Sequence, residues 1–520
     1  DNIDYDTERV IVTYNPDASD AVAFRYSNLA EVQQNILTLP QVDYLRGDRS
    51  NEGVLRERAL TGGLLGPIVN SSPVFVGRPR GINRDQAPYP TSSGDLYAEF
   101  VAAQNGRTQM VYVGANDGMM HGFDADTGEE LVAYVPSMII DSSKVYANQL
   151  NDYTSPFYYH NYFVDLSPSL NDVYMRATPS GDKAWRTVLI GGLGAGGKGF
   201  FALDVTDPNQ YVDETTAQNV FLWEFTDEDD TYPVGTNGSP VGGAINALTD
   251  PNGDPVKDLG YALALPTVQM TNETDAGGDQ EWAAIFGNGA NSTSGIATLF
   301  VAFLERGIDD WTDSDDFVKI STGFGVPLPG EQLEGYPNAL GSPAAVDADL
   351  NGTVDYIYAG DRLGNMFRFD LTSDNPDNWE AVRLFQATYD DGVGPDAIQP
   401  IQAKPLVVKN PNGLGFMVYF GTGSFISKDD ASTNEVQSIY GIWDRLEAAP
   451  ATAMSGAKES RLIQQTITNI VDDSGVGAIT RRIVSRNDVA LVADGLSPGV
   501  YGWYIDLDMV RAAGTLSGAS

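Results

Sequence analysis

The stretch Asp347-Ala-Asp349-Leu-Asn351-Gly352-Thr353-Val-Asp355 sets an oxygen-bearing residue at every second position and a glycine where a tight loop must turn. Calcium takes six to eight oxygen ligands at roughly 2.3–2.6 Å, and alternate residues of one short loop can converge on a single point. The side chains of Asp347, Asp349, Asn351 and Asp355, with the backbone carbonyl of Thr353, supply such a set, so the segment reads as a Ca2+ loop. In a helix-loop-helix site the twelfth position is a bidentate Glu; here that position is Tyr358. The following Tyr356-Ile-Tyr-Ala is rich in β-formers, so the loop is expected to lead into a strand rather than a helix. The alternative is an acidic β-turn that holds no metal, because turns favour Asp, Asn and Gly for conformational reasons of their own.

The rest of the composition narrows the chemistry. Without cysteine, neither disulfides, thiolate metal sites nor cysteine nucleophiles are available. Two histidines, His121 and His160, cannot build a zinc site of three or four His/Cys ligands. Neither has a serine-acid context suited to nucleophilic catalysis, so both are expected to pack or hydrogen-bond locally. A formal net charge of -40, from 71 acidic against 31 basic residues, excludes nucleic acid as a partner, since phosphate binding needs a basic footprint. The acidic runs Asp227 to Asp230 and Asp309 to Asp316 read as solvated loops, tolerable where salt or calcium screens them. No apolar run approaches the roughly 20 residues of a membrane helix, so no transmembrane segment is expected. The chain begins at Asp1 without Met or a signal sequence and reads as a mature piece or excised domain.

What positions the loop is a repeat. At 520 residues with 42% hydrophobic content, the chain can bury a large core. A β-rich run ending in Gly, a polar turn and a second run recur: Val111 to Gly114 then Met120 to Asp124, and Val188 to Gly191 then Phe201 to Asp204. Ile285 to Gly287 precedes Leu299 to Phe303, Tyr356 to Gly360 precedes Phe367 to Asp370, and Met417 to Gly421 precedes Tyr440 to Asp444. Tyr501 to Asp506 resembles one more second run. Upstream of each copy lies an apolar segment with a proline: Pro73, Pro168, Pro266, Pro343 and Pro405. Short aromatic-rich runs punctuated by Gly, Asn and Asp are antiparallel strand signals, and three or four per unit fit propeller blades. Five copies, the strand Val10 to Tyr14 and the C-terminal strands together predict an all-β propeller of about seven blades. Residues 1–45 form a lead-in with a strand, and 46–520 the propeller. Helical periodicity is confined to Leu29 to Leu39 and Val436 to Leu446, the latter better read as a strand.

Four segments together carry a family likeness: Val111 to Pro136, Tyr44 to Arg49, Ile68 to Gly77 and Asp347 to Leu371. From about residue 40 to 510 the chain resembles the C-terminal domain of the PilY family, the tip-associated adhesins and biogenesis factors of bacterial type IV pili. The resemblance implies a modified quinoprotein-like β-propeller with its calcium loop at Asp347, Asp349, Asn351, Thr353 and Asp355. It also implies that calcium occupancy is linked to pilus extension against retraction, twitching motility and surface attachment. Implied partners are pilus subunits, minor pilins and assembly proteins, with host or abiotic surfaces, at the cell surface, pilus tip or outer membrane. Family members usually carry a long N-terminal region with a von Willebrand A-like fold, which this sequence lacks, and continue past the strand matching Tyr501 to Asp506.

The expected function is therefore a non-enzymatic, calcium-binding module of a pilus machine. One competitor is a quinone-dependent dehydrogenase, which shares the propeller and uses calcium, but whose usual vicinal cysteine pair cannot exist here. Another is a carbohydrate or host-receptor adhesin. For that reading Arg46-Gly47-Asp48 would have to be exposed, whereas an Arg–Asp pair in a turn is the simpler expectation. The aromatic runs Thr231 to Val234 and Tyr153 to Tyr162 are expected to pack as core or loop.

Overall fold

The computed structural model describes residues 5–58, 63–81, 83–144, 146–231, 257–313, 315–325, 337–390, 396–411, 414–427, 430, 433, 435–446, 458–472, 479–489 and 500–507. Each of the five sequence copies becomes the centre of one large sheet. Blade 1 holds Val74–Val76, Met110–Ala115, Met119–Asp124 and Glu130–Val135. Blade 2 holds Ser169–Met175, Ala184–Gly192, Gly199–Asp204 and Phe221–Thr226, and blade 3 holds Thr267–Thr274, Gln280–Gly287, Thr298–Phe303 and Phe317–Ser321. Blade 4 holds Ala344–Val346, Tyr356–Gly360, Asn365–Asp370 and Glu380–Gln386. Blade 5 holds Leu406–Lys409, Phe416–Gly421, Ser438–Asp444 and Gly502–Asp506.

Every proline of the repeat stands immediately before the first strand of its blade, where its missing N–H interrupts no ladder. These first strands form the inner ring, since those of blades 2 and 3, 3 and 4, and 4 and 5 pack on one another. At Gly114 and Gly287 the glycine of a second strand marks a close approach. A Cβ at Gly114 would lie 2.6 Å from the carbonyl oxygen of Val164, and one at Gly287 2.4 Å from that of Gly341, in the chain entering a neighbouring blade. The aspartate after a third strand closes the next turn. Asp124, Asp204, Asp370 and Asp444 each accept the backbone N–H two residues ahead at 2.8–3.1 Å.

The runs are apolar on both faces because both faces are buried. Tyr358 of blade 4 packs with Val418 and Ile442 of blade 5, while its neighbours Ile357 and Ala359 pack with Ile285 and Leu299 of blade 3. The period-two alternation of a strand thus feeds two successive interblade cores. Among the described residues, some additional strands enlarge existing sheets, while Thr388–Tyr389 with Ala397–Ile398 and Ile467–Asp472 with Ile479–Val484 form two separate two-stranded sheets. Ile11–Asn15 pairs in parallel with Glu130–Val135 of blade 1, and Gly502–Asp506 lies against Ser438–Asp444 as a further strand of blade 5 rather than a second strand of another unit. Short helices Glu31–Gln34 and Leu39–Arg46 account for the helical periodicity near Leu29 to Leu39, and Ser438–Asp444 is a strand, as expected.

Candidate metal centre

The loop from Asp347 to Asp355 joins the first and second strands of blade 4, and Asp355 directly precedes Tyr356–Gly360. Carboxylate oxygens of Asp347, Asp349 and Asp355 lie within 4.8 Å of one another. Among the described residues it is the one group of three or more His, Asp or Glu side chains converging in this way. The turn that brings them together needs Gly352, at φ +108, where a side chain is strained and a Cβ would also meet the Tyr89 ring and hydroxyl at 2.8–3.0 Å. Leu350 shares the left-handed region at φ 64.

Backbone donors hold the acids in place. Asp347 accepts from the N–H groups of Asn351 at 3.1 Å and Gly352 at 2.8 Å, and Asp349 accepts from the Asn351 N–H at 3.0 Å. Asp355 accepts the Ala348 N–H at 2.7 Å. Burial pushes the Asp355 carboxyl above its ordinary value; the Ala348 N–H opposes this, while the negative charges of Asp349 and Asp347 add to it. No Lys or Arg forms an ion pair with any of the three among the described residues. An all-oxygen, anionic donor set of this kind suits a hard cation.

Asn351 and Thr353 are bonded to each other, and Thr353 to the neighbouring blade. The Asn351 amide oxygen accepts the Thr353 N–H at 2.7 Å, and the Thr353 hydroxyl lies 2.7 Å from both Asn351 Oδ1 and Asn272 Oδ1. Asn272 belongs to blade 3, and its amide donates to the carbonyls of Val354 at 3.1 Å and Leu371 at 2.9 Å. The Val354 N–H completes the bridge by donating to the Met270 carbonyl at 2.8 Å. The loop is thus anchored across the interface between blades 3 and 4. Sequence reading missed Asn272 and Tyr89, because partners so distant in the chain leave no spacing signal near the loop.

Elsewhere the structure revises several expectations. His121 does bond locally, with Nδ1 2.6 Å from Glu130 and Nε2 3.1 Å from Asp117. Burial lowers its pKa, but Asp117 and Glu130 outweigh that and raise it to about 9. Arg46 does not pair with Asp48: it is buried, with Nη1 2.6 Å from Glu214, so Arg46-Gly47-Asp48 is not an exposed tripeptide. Asp227 and Asp230 are not solvated but buried, as is Asp316, because lysines or backbone N–H groups reach them inside the fold. Tyr153 is core, whereas Phe157 and Tyr159 of the same run are exposed. The segment from Tyr232 to Val234 lies outside the described residues. No helix among the described residues is long and apolar enough to cross a membrane.

A family model described as the PilY1 beta-propeller domain matches residues 65–478. A type IV pilus biogenesis factor PilY1 homolog of Xylella fastidiosa is 34% identical over 485 residues, covering 93% of this chain and 32% of the relative. The type IV pilus biogenesis factor PilY1 of Pseudomonas aeruginosa strain PAK is 34% identical over 501 residues, covering 92% and 37%. The chain therefore spans about a third of the length of these curated relatives. The crystal structure of the P. aeruginosa PilY1 C-terminal domain superposes with a TM-score of 0.58 at 30% identity, covering 83% of this chain and 77% of that one. A sheet-per-repeat propeller, an acidic loop in its fourth blade and a family model spanning both make one assignment: the chain belongs to the PilY1 β-propeller family.

Proposed function

We propose that this chain is the calcium-binding propeller module, spanning 46–520 behind the 1–45 lead-in, of a type IV pilus assembly and tip-adhesin protein. It acts without catalysis at the cell surface or pilus tip, where it engages pilus subunits, minor pilins and assembly proteins and supports attachment and twitching motility. The observation that carries this reading is the convergence of three carboxylates, with no basic partner among the described residues, in a chain of the PilY1 family. Asp347, Asp349, Asn351, Asp355 and the Thr353 carbonyl would hold Ca2+, which supplies the positive charge that relieves repulsion among the acids. The chain's own contribution is transmission. Because Asn272 and Met270 tie the loop to blade 3, loop order is coupled to the packing of two blades rather than to one turn.

A dehydrogenase reading would need a metal and a catalytic carboxylate in the axial cavity. Asp172 is the carboxylate lining that cavity among the described residues, and both its oxygens are engaged, by Tyr97 at 2.6 Å and Thr187 at 2.7 Å. The decisive experiment replaces Asp355 by Ala in the full-length parent protein and measures calcium affinity beside pilus extension and retraction. Lost calcium binding with altered pilus dynamics is expected. Lost binding with normal dynamics would reduce the ion to a structural staple, and retained binding would remove the site.

A further inference from the structure

A second region of the molecule is built for the opposite charge. Inner strands Val74–Val76, Ser169–Met175 and Thr267–Thr274 and the approach to Leu406–Lys409 surround an axial cavity of about 830 Å3. Arg78, Arg80, Arg107 and Lys404 line it. In a chain with 71 acidic against 31 basic residues, cations elsewhere commonly meet acids: Arg9 meets Glu130, Lys319 meets Asp230 and Asp258, and Arg306 meets Glu281 and Glu273. None of the four cavity cations forms an ion pair with a described residue.

Their arrangement is prepared rather than incidental. Arg107 is fixed by donating Nε to the Gly77 carbonyl at 2.6 Å and Nη1 to Thr187 Oγ1 at 2.9 Å, which orients its charge without neutralising it. Arg78 donates to Asn105 at 3.3 Å, a neutral partner. Desolvation lowers the Arg107 and Lys404 pKa values, against the opposing charge of Asp172 at Arg107, although Lys404 still reaches water in the cavity. The cavity's carboxylate, Asp172, has both oxygens bonded to hydroxyls. Phe75, half exposed, adds an apolar face to the same cavity.

We infer that the axial cavity is a binding site for a small organic anion bearing two or more carboxylate or phosphate groups, held by Arg78, Arg80, Arg107 and Lys404 beside Phe75. A cavity of this size suits a ligand of metabolite dimensions. Guanidinium groups match carboxylate and phosphate oxygens in paired hydrogen bonds. The cations lining the cavity attract an incoming anion, so binding should weaken with ionic strength.

Calorimetric titration of the calcium-loaded chain at low salt tests the site. The probes are benzene-1,3,5-tricarboxylate, whose carboxylates are too far apart to chelate calcium, and fructose 1,6-bisphosphate; benzene-1,3,5-trimethanol is the neutral control. Saturable binding of one equivalent of either anion and none of the control is expected, with Lys404→Gln and Arg80→Gln each weakening it about tenfold. The tighter probe tells whether carboxylate or phosphate is preferred. Both substituted side chains reach solvent, so unchanged melting and calcium titration would verify that the variants fold. Absence of saturable binding by both anions, affinity in both variants unchanged from that of the parent chain, or binding of hexaglutamate where neither small anion binds would overturn the proposal.

Discussion

Two acidic clusters in neighbouring parts of the propeller have solved the same electrostatic problem in different ways. Between blades 2 and 3, Asp230 and Asp258 are buried, and Lys319 reaches 2.7 Å from both. Burial alone would lower the Lys319 pKa, but the two carboxylates outweigh it and keep the ammonium charged. In blade 4, oxygens of Asp347, Asp349 and Asp355 converge within 4.8 Å, yet no described basic residue pairs with them. An acid cluster that serves the core carries its cation in the sequence, whereas one that leaves out the cation and faces the surface is open to an ion from solution. Acidity alone therefore says little about metal binding, and the neighbouring base discriminates.

The largest test of this contrast removes the internal cation. Lys319→Ala leaves two buried carboxylates uncompensated and should cost about 3–5 kcal/mol in chemical denaturation, with no recovery on adding calcium. A loss below about 1 kcal/mol would show that the pair survives by protonation, and that an internal base is no mark of a core cluster.

A third cluster permits the same experiment by pH. In blade 1, Glu130 and Asp117 are compensated by Arg9 and His121. Burial pushes the Glu130 carboxyl up, but His121 and Arg9 bring it down to about 2. His121, at about 9 in the fold, lies above its unfolded value of about 6.5, so its stabilisation is complete below about pH 6.5 and lost as pH rises through about 9. Roughly 3 kcal/mol is at stake. Denaturation profiles between pH 6 and 10 should show this decline, and His121→Gln should flatten it. An undiminished slope in that variant would assign the titration to another group.

How much of this was legible in the sequence depended on whether the signal was local. The prolines before first strands, the glycines at blade contacts and the aspartates closing turns are each dictated by immediate backbone geometry, and each recurs. The converging carboxylates of the blade 4 loop share that quality, since their alternate spacing and Gly352 lie within a few residues. What escaped was pairing at a distance. Ile11–Asn15 reads as a strand, but nothing in it names Glu130–Val135 as its parallel partner, so it suggested an extra blade. Asp227 to Asp230 read as a solvated run because Lys319, 89 residues beyond Asp230, gives no local sign of reaching it.

On the blade 4 side, calcium at a hundredfold excess over its dissociation constant should stabilise the fold by about 2.7 kcal/mol, and chelation should remove that gain. Asp355→Asn should abolish the calcium-dependent rise in melting temperature. The calcium-free variant should melt no lower than the calcium-free parent, because the change removes one of three mutually repelling charges. A calcium response of the same size in the variant would dissolve the contrast between the clusters, since the unpaired acids would then not be where the ion acts.

The finest test asks whether blade 3 prepares the loop or merely touches it. Asn272→Ala removes the acceptor of one Thr353 hydroxyl contact and the donor to the Val354 and Leu371 carbonyls, while Thr353 keeps Asn351 as its alternative. Two carbonyls losing their side-chain donor should cost about 1–2 kcal/mol in the calcium-free fold. If the blade 3 contact organises the ligands in advance, calcium affinity falls as well, because the ion must then order the loop itself. Equal stability loss with and without saturating calcium would show the contact to be only structural. A larger loss with calcium present would show that the interblade bridge and the acid loop act as one unit, which the Lys319 cluster, complete within its own core, has no means of doing.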